Sequence, residues 1–365
     1  MKSIYITVTN DLATDQRMHK TALNLSENGF QVSLIGRKMP NSGIIKRPYS
    51  TKRLRFLCKQ GFLFYACYNV RMFFFLLFRT WDVVLACDMD TLPAGWAASR
   101  IRGKKLVFDS HELFSEVPEL QNRKFVRKVW QKLESWLIPK VDAAYTVSDS
   151  IAGYYKSKHG VEFSVIRNLP FKTQKIQDKP PVLPEKDFII YQGSFNTGRG
   201  IEKLINAMKY LPDLDLLLAG TGPLEKSIRK KCEALSYKDR INIPGRLDFD
   251  KLAAITVNAS IGVSLEADMG LNYRYALPNK LFDYMRAGVP VLVSDLPEMR
   301  TFVEAANIGR WVAPDAEAEK LAAEISLMYR DKEKLDIYRQ NAKETLKNYN
   351  WESESLKQLE VFRAI

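Results

Sequence analysis

From Arg37 to Arg79 the chain carries ten basic residues and not one acidic residue, and throughout it is poor in the residues that build cross-linked or metal-centred proteins. Four cysteines, Cys58, Cys67, Cys87 and Cys232, are scattered over 365 residues without a Cys-x-x-Cys or a Cys/His ligand spacing. That scatter speaks for reduced thiols in a reducing compartment and against a zinc site or a disulfide scaffold. Histidine is scarcer still, with His19, His111 and His159 alone. No apolar run reaches the ~20 residues that a membrane-spanning helix needs. Met1-Lys2 leads straight into Ser3-Ile4-Tyr5-Ile6-Thr7-Val8, too short and too polar beyond residue 8 for a secretory leader, so a cytoplasmic protein is expected. There is no repeat at solenoid spacing and no low-complexity tract.

What is present is a globular composition, 46% hydrophobic over a length that exceeds one ordinary core and fits two α/β domains of ~150 residues. Residues 1–167 alternate strand and helix patterns, with strands expected near 3–8, 31–36, 82–87, 104–108, 142–147 and 163–166. Such alternation implies a parallel, doubly wound sheet. From 168 to 185, Pro170, Pro180, Pro181 and Pro184 stand among Lys, Gln and Asp, which breaks both periodicities and marks a linker. A second alternating domain is expected over 186–345, with strands near 187–192, 214–219, 240–243, 260–265 and 289–293, and a last helix over 346–365. Ligands of open α/β sheets bind at the carboxyl ends of the strands, so the cleft between the two domains is the expected site.

A formal net charge of +13 invites nucleic acid, an anionic membrane surface or an acidic substrate. Distribution separates them. Residues 37–81 mix the basic run with many aromatics, among them Phe62, Phe74 and Phe78, interrupted by Asn69 and Arg71. Two readings of the segment stand open. It is either an interfacial segment on anionic lipid, where each nearby Lys or Arg contributes ~1 kcal/mol, or a core helix flanked by solvated charge. Nucleic acid is not expected, because the aromatics cluster in apolar runs and do not stand singly as stacking platforms.

The densest motif is Ala276-Leu277-Pro278-Asn279-Lys280-Leu281-Phe282-Asp283-Tyr284-Met285, which joins a tight turn to a helix start. Pro278 lacks an amide hydrogen and fixes its own φ, whereas the amides of Asn279, Lys280 and Leu281 are expected as unpaired first-turn donors. A helix end of this kind attracts phosphate. Asp283 then falls within reach of an attached sugar, where a carboxylate can accept two hydroxyls as a fork. Gly288-Val289-Pro290-Val291 returns the chain to a buried strand.

This segment resembles the donor-binding motif of retaining glycosyltransferases of the GT-B fold, the group 1 or GT4 type. Upstream, Tyr191-Gln192-Gly193-Ser194-Phe195-Asn196-Thr197-Gly198-Arg199-Gly200 is similar to that family's glycine loop, and Leu218-Ala219-Gly220-Thr221-Gly222-Pro223 to its next strand-to-helix turn. Tyr349-Asn350-Trp351-Glu352 is similar to the start of its last helix. The resemblance implies two Rossmann-like domains, an interdomain cleft and a C-terminal helix that crosses back to the first domain. It further implies a nucleotide-sugar donor, UDP- or GDP-linked, bound by Gly193, Ser194, Arg199, Gly220, Gly222, Arg246, Pro278, Asn279, Lys280, Leu281 and Asp283. The acceptor it implies is a glycan or a lipid-linked glycan.

Departures from the family pattern matter as well. The second of its paired acids falls on Asp283, one methylene short, and the position eight residues earlier is Tyr275. Ser194 stands where an arginine is usual, which leaves Arg199 as the cationic phosphate ligand of that loop. Residues 9–11, Thr-Asn-Asp, carry no glycine pair. At the end of an apolar strand, Asp109-Ser110-His111-Glu112 is similar to a segment that faces the donor sugar in relatives, and His111 and Glu112 join Arg199 and Lys280 as expected catalytic residues. The bland alternatives are a cap by Asp109 or Ser110 on the next helix, and exposed cations at Arg199, Lys280 and Arg246. No Asp-x-Asp stands where a metal-dependent transferase needs one, and Asp88-Met89-Asp90 opens a helix elsewhere, so neither metal nor cofactor is expected. The expected activity is retaining, metal-independent transfer in glycan synthesis at the inner face of the membrane. Two rivals remain: a nucleotide-sugar epimerase of the same architecture, and a catalytically degenerate nucleotide-binding subunit.

Overall fold

The computed structural model of the chain describes residues 1–13, 15–40, 42–58, 61–121, 123–172 and 183–365. Lys59 and most of the expected linker, Pro180 and Pro181 included, lie outside these residues. Contacts divide the chain into two compact units, Met1–Asn168 with Glu354–Ile365, and Leu169–Ser353.

The first unit is built on a seven-stranded parallel sheet of β1 Ser3–Thr7, β2 Gln31–Arg37, β3 Ser50–Leu54, β4 Val83–Cys87, β5 Lys105–Ser110, β6 Ala143–Thr146 and β7 Ser164–Val165. Its order is β3-β2-β1-β4-β5-β6-β7, so the chain reverses direction of winding between β1 and β4. Strand β4 is buried along its whole length, as a parallel strand covered on both faces requires. The sequence pattern missed β3, whose Ser-Thr-Lys-Arg-Leu is too polar for a central strand. It lies at the sheet edge, where basic side chains are common. Helix Gly61–Leu77 buries Phe64, Tyr68, Met72 and Leu76, one side chain every four residues, and leaves Phe62, Leu63, Val70, Phe74 and the following Phe78 exposed. The core reading of the aromatic segment therefore holds for one face of the helix, and the other face is exposed. Cys58 and Cys67, nine residues apart in sequence, bring their free thiols within 3.1 Å.

The last helix, Trp351–Arg363, packs its end against the first unit. Asn24 Nδ2 donates to the Ser355 carbonyl at 3.0 Å and to Gln358 Oε1 at 3.1 Å, and Gln358 Nε2 donates to Thr21 Oγ1 at 3.0 Å. Phe362 is fully buried against Phe30.

The second unit carries six parallel strands: β8 Phe188–Gln192, β9 Asp215–Ala219, β10 Ile241–Gly245, β11 Ile261–Ser264, β12 Val291–Ser294 and β13 Gly309–Val312. Alternate residues serve opposite faces, with Ile189, Leu216, Leu218 and Val263 in one core and Ile190, Leu217, Val291 and Val293 in the other. In the order β10-β9-β8-β11-β12-β13 the winding reverses between β8 and β11. That reversal opens a crevice at the strands' carboxyl ends. Tyr284 sits beneath it, its hydroxyl taking the Gln192 amide at 3.1 Å and lying 3.2 Å from the Ile190 carbonyl.

Candidate functional site

Four loops meet at the carboxyl ends of β8, β9, β10 and β11. The Gly193 amide donates to the Ala219 carbonyl at 3.0 Å, Phe195 N to the Thr221 carbonyl at 2.9 Å, and Gly220 N to the Gly245 carbonyl at 2.9 Å. Glycine at 220 is obligatory, because a Cβ there would lie 1.8 Å from the Gly193 carbonyl oxygen. These bonds place Gly193, Gly220, Gly222 and the exposed Arg246 along one rim. The Ala267 amide donates to the Gly198 carbonyl at 2.8 Å and the Tyr273 hydroxyl to the Thr197 carbonyl at 3.0 Å, so the loops after β8 and β11 are stapled together. At their junction Gly200 holds φ +70°, and a Cβ would meet the Leu265 carbonyl at 2.4 Å.

Arg199 and Lys280 are not exposed cations. They converge on Glu266, which the sequence pattern passed over: Lys280 Nζ lies 2.9 Å and Arg199 Nη1 3.1 Å from its Oε1, and Ser264 Oγ donates to Oε2 at 2.7 Å. Glu266 is fully buried and Lys280 nearly so, while Arg199 keeps a quarter of its side chain exposed. Burial opposes the Glu266 charge, but Lys280 and Arg199 outweigh it and hold the carboxyl at about 2. Burial pulls the Lys280 ammonium down, Glu266 pushes it back up, and Arg199 lowers it again. Tyr191 lies 4.3 Å under Lys280 and Tyr273 4.7 Å from Arg199. Two cations against one carboxylate leave the cluster with a surplus positive charge. Glu266 ends an apolar strand at the same kind of address as His111, and that was the available signal for it.

Helix Asn279–Ala287 begins as expected after Pro278, with two differences. The Leu281 amide is not free, because it donates to the Pro278 carbonyl at 3.0 Å, which leaves the Asn279 and Lys280 amides without a backbone partner among the described residues. Asp283 is no vacant fork either. Gln192 Nε2 donates to its Oδ2 at 2.9 Å and Arg286 stands 3.9 Å from Oδ1, so a sugar hydroxyl would join protein donors there. Ser194 Oγ contacts Asn196 Oδ1 at 3.0 Å, a local turn bond in an exposed loop.

In the first unit, the residues at the reversal between β1 and β4 form a second charged cluster. His111 Nε2 lies 3.0 Å from Asp109 Oδ2, its Nδ1 3.2 Å from Asp88 Oδ2, and its amide donates to Asp88 Oδ1 at 2.8 Å. The carboxylates on the ring are thus Asp88 and Asp109. Burial disfavours the imidazolium, but Asp109 and Asp88 outweigh it and push His111 to about 10. Arg17 Nη2 donates to Asp109 Oδ1 at 2.7 Å. Burial opposes the Asp109 charge, yet Arg17 and His111 hold that carboxyl at about 2. Asp15 caps helix Gln16–Glu27 through the Met18 amide, which aims Arg17 inward. Cys87, Asp109 and His111 each offer a ligand atom within 4.8 Å of the others. The charge on His111, Arg17 on Asp109, and a Cys87 thiol pushed well up by burial all oppose a cation there.

Two crevice-bearing parallel sheets in successive units, with the last helix returned to the first unit, define the GT-B glycosyltransferase fold. The family described as Glycosyltransferase Family 4 matches residues 16–169 and Glycosyl transferases group 1 matches residues 172–345, and the chain belongs to this group 1, family 4 type. It is similar to the chitobiosyldiphosphodolichol beta-mannosyltransferase of Debaryomyces hansenii, 23% identical over 96% of this chain and 85% of the relative. Among solved structures it resembles sucrose-phosphate synthase from Thermosynechococcus elongatus, with a TM-score of 0.81, 17% identity and coverage of 100% and 99% of the two chains. It also resembles Anabaena Alr3699/HepE in complex with UDP-glucose, with a TM-score of 0.75, 14% identity and full coverage of both chains.

Proposed function

We propose that the protein moves a sugar from a UDP- or GDP-linked donor to a glycan or lipid-linked acceptor, with retention of configuration and without a metal, in glycan synthesis at the cytoplasmic face of a membrane. The observation that carries the donor part is the meeting of Arg199, Lys280 and the helix start at Asn279 in one crevice. As the glycosidic bond breaks, negative charge grows on the departing diphosphate. Fixed cations and amides stabilise that charge more than the ground state, each donor being worth ~2.7–4 kcal/mol of barrier. Asp283, steadied by Gln192, binds a hydroxyl of the nucleotide's sugar. His111, held charged by Asp109 and Asp88 with a carboxylate on each ring nitrogen, does not serve as a base. The relative named above acts on a dolichol-linked substrate, and the UDP-glucose complex shows which ligand class a related fold holds.

The lipid part rests on the outer face of helix Gly61–Leu77. Phe62, Leu63, Val70 and Phe74 are exposed there beside Arg71 and, just beyond, Arg79. Helix Lys124–Leu137 adds exposed Phe125 and Trp136 with Lys124, Lys128 and Lys132, and its Trp130 meets Tyr65 of helix Gly61–Leu77 at 5.4 Å. Among the described residues no helix is long and apolar enough to cross a membrane. Aromatics flanked by Lys and Arg fit an anionic lipid surface.

The test is transfer from UDP- and GDP-sugars to lipid-linked acceptor in anionic vesicles, with the product anomer read by NMR. The expected product keeps the donor's anomeric configuration, forms in the presence of chelator, and forms faster on anionic than on zwitterionic vesicles. An inverted product removes the retaining mechanism. Donor turnover without acceptor points instead to the epimerase, and indifference to vesicle charge removes the membrane surface.

A further inference from the structure

Glu266 is an anion placed where an anionic ligand is to bind. Every other charged group of the crevice rim that reaches it is a cation, and removing Glu266 would make the local charge more positive. Yet two cations brought together without it repel each other, and Lys280 is buried. One fully buried carboxylate, anchored by the Ser264 hydroxyl at 2.7 Å, holds Lys280 Nζ at 2.9 Å and Arg199 Nη1 at 3.1 Å on a single oxygen. The rings of Tyr191 and Tyr273 flank the two cations at 4.3 and 4.7 Å.

We propose that Glu266 is a positioning residue for nucleoside-diphosphate binding, which keeps Lys280 charged and aims Lys280 and Arg199 together at the diphosphate. This rests on the transferase reading above. The charged and titratable groups facing the Lys280 ammonium are Glu266 from the end of β11, Arg199 from the loop after β8, and Tyr191 from β8 itself. Among them Glu266 is the one that favours the charged amine, whereas burial and Arg199 disfavour it. With Glu266 neutralised only the Tyr191 ring still favours the cation against these two, and Lys280 gives up its proton to solvent at a lower pH. A residue that merely filled space would weaken binding equally at every pH.

Dissociation constants of UDP and GDP are therefore measured by calorimetry from about pH 6.5 to about pH 9.5, a span that brackets a lowered lysine. The proteins are wild type, Glu266→Gln, Glu266→Asp and Lys280→Arg, and thermal transitions check that each is folded. The nucleotide's own titration is common to all four. Glu266→Gln is expected to bring the alkaline loss of affinity to lower pH and to weaken binding ~10-fold above it, the size of a lost charge-assisted contact. Glu266→Asp keeps the wild-type profile with weaker binding, and Lys280→Arg, which does not titrate in this range, flattens it. Should Glu266→Gln fail to fold, Ser264→Ala, which loosens only the anchor, must move the profile in the same direction. A Glu266→Gln profile parallel to wild type, or an unmoved Ser264→Ala profile in that case, overturns the proposal. Wild type that binds neither nucleotide overturns the transferase reading itself.

Discussion

Burial and the neighbouring Asp88 push the Asp90 carboxyl up to about 8, against a single hydrogen bond from Thr9 and the attraction of His111. Its Oδ1 is buried with no partner among the described residues. An unfolded aspartate titrates near 3.8, so the protonated form contributes stability that is full below that pH and lost as pH rises through about 8. His111 acts in the same direction. Its folded value of about 10 lies above the unfolded 6.5, and its stabilisation is full below 6.5 and lost as pH rises through about 10. Urea unfolding across this range should show stability falling with pH in two stretches. Asp90→Asn is expected to remove the lower stretch and to raise stability near pH 8 by ~1–3 kcal/mol, the usual cost of a buried unsatisfied polar group. Parallel wild-type and variant profiles would contradict the placement of that proton. At this scale sequence went part of the way. His111 stood out by its scarcity and its strand-end address with Asp109 beside it, but Asp88 reaches it from the end of β4 and Arg17 reaches Asp109 from helix Gln16–Glu27, and no spacing rule joins them. Glu266 was hidden for the same reason, fourteen residues before Lys280.

Helix Asn279–Ala287 is tied to the sheet by an exchange of bulk between two residues. Tyr284 lays its ring on β11 at Gly262, where a Cβ would lie 2.5 Å from the ring, and sends its hydroxyl to the backbone of β8. Gly262→Ala is therefore expected to cost ~1–3 kcal/mol by overpacking. It should also weaken nucleotide binding, because the helix start at Asn279 must shift with the ring; thermal unfolding and calorimetry read the two effects. An alanine variant of wild-type stability would mean the ring is free to move. Elements with strong patterns were legible. Strands β1, β2 and β4 to β12 fall within a few residues of their expected positions, since apolar runs bounded by turn residues admit little else. Strand β3 and strand β13, Gly-Arg-Trp-Val, escaped because edge strands are free to be polar. For helix Gly61–Leu77, composition gave the apolar content, and only the structure assigned it to a buried and an exposed face.

The whole molecule consists of two units that each place charged side chains at the reversal of a parallel sheet, in one an imidazolium between two carboxylates, in the other two cations on one carboxylate. Their sums differ by one charge. Arg17 and His111 balance Asp88 and Asp109, whereas Arg199 and Lys280 exceed Glu266 by one positive charge. An anionic nucleotide is expected at the second. Thermal unfolding of the full chain with UDP, GDP, CMP, dTDP and NAD, with and without magnesium, tests this most directly, on wild type and on Asp283→Ala. A ligand at 100 times its dissociation constant adds ~2.7 kcal/mol to the folded state. Stabilisation of wild type by UDP or GDP, unchanged by magnesium and lost in Asp283→Ala, is the predicted result. No stabilisation by any of the five, or equal stabilisation of the variant, would contradict a nucleotide-sugar site in the second unit.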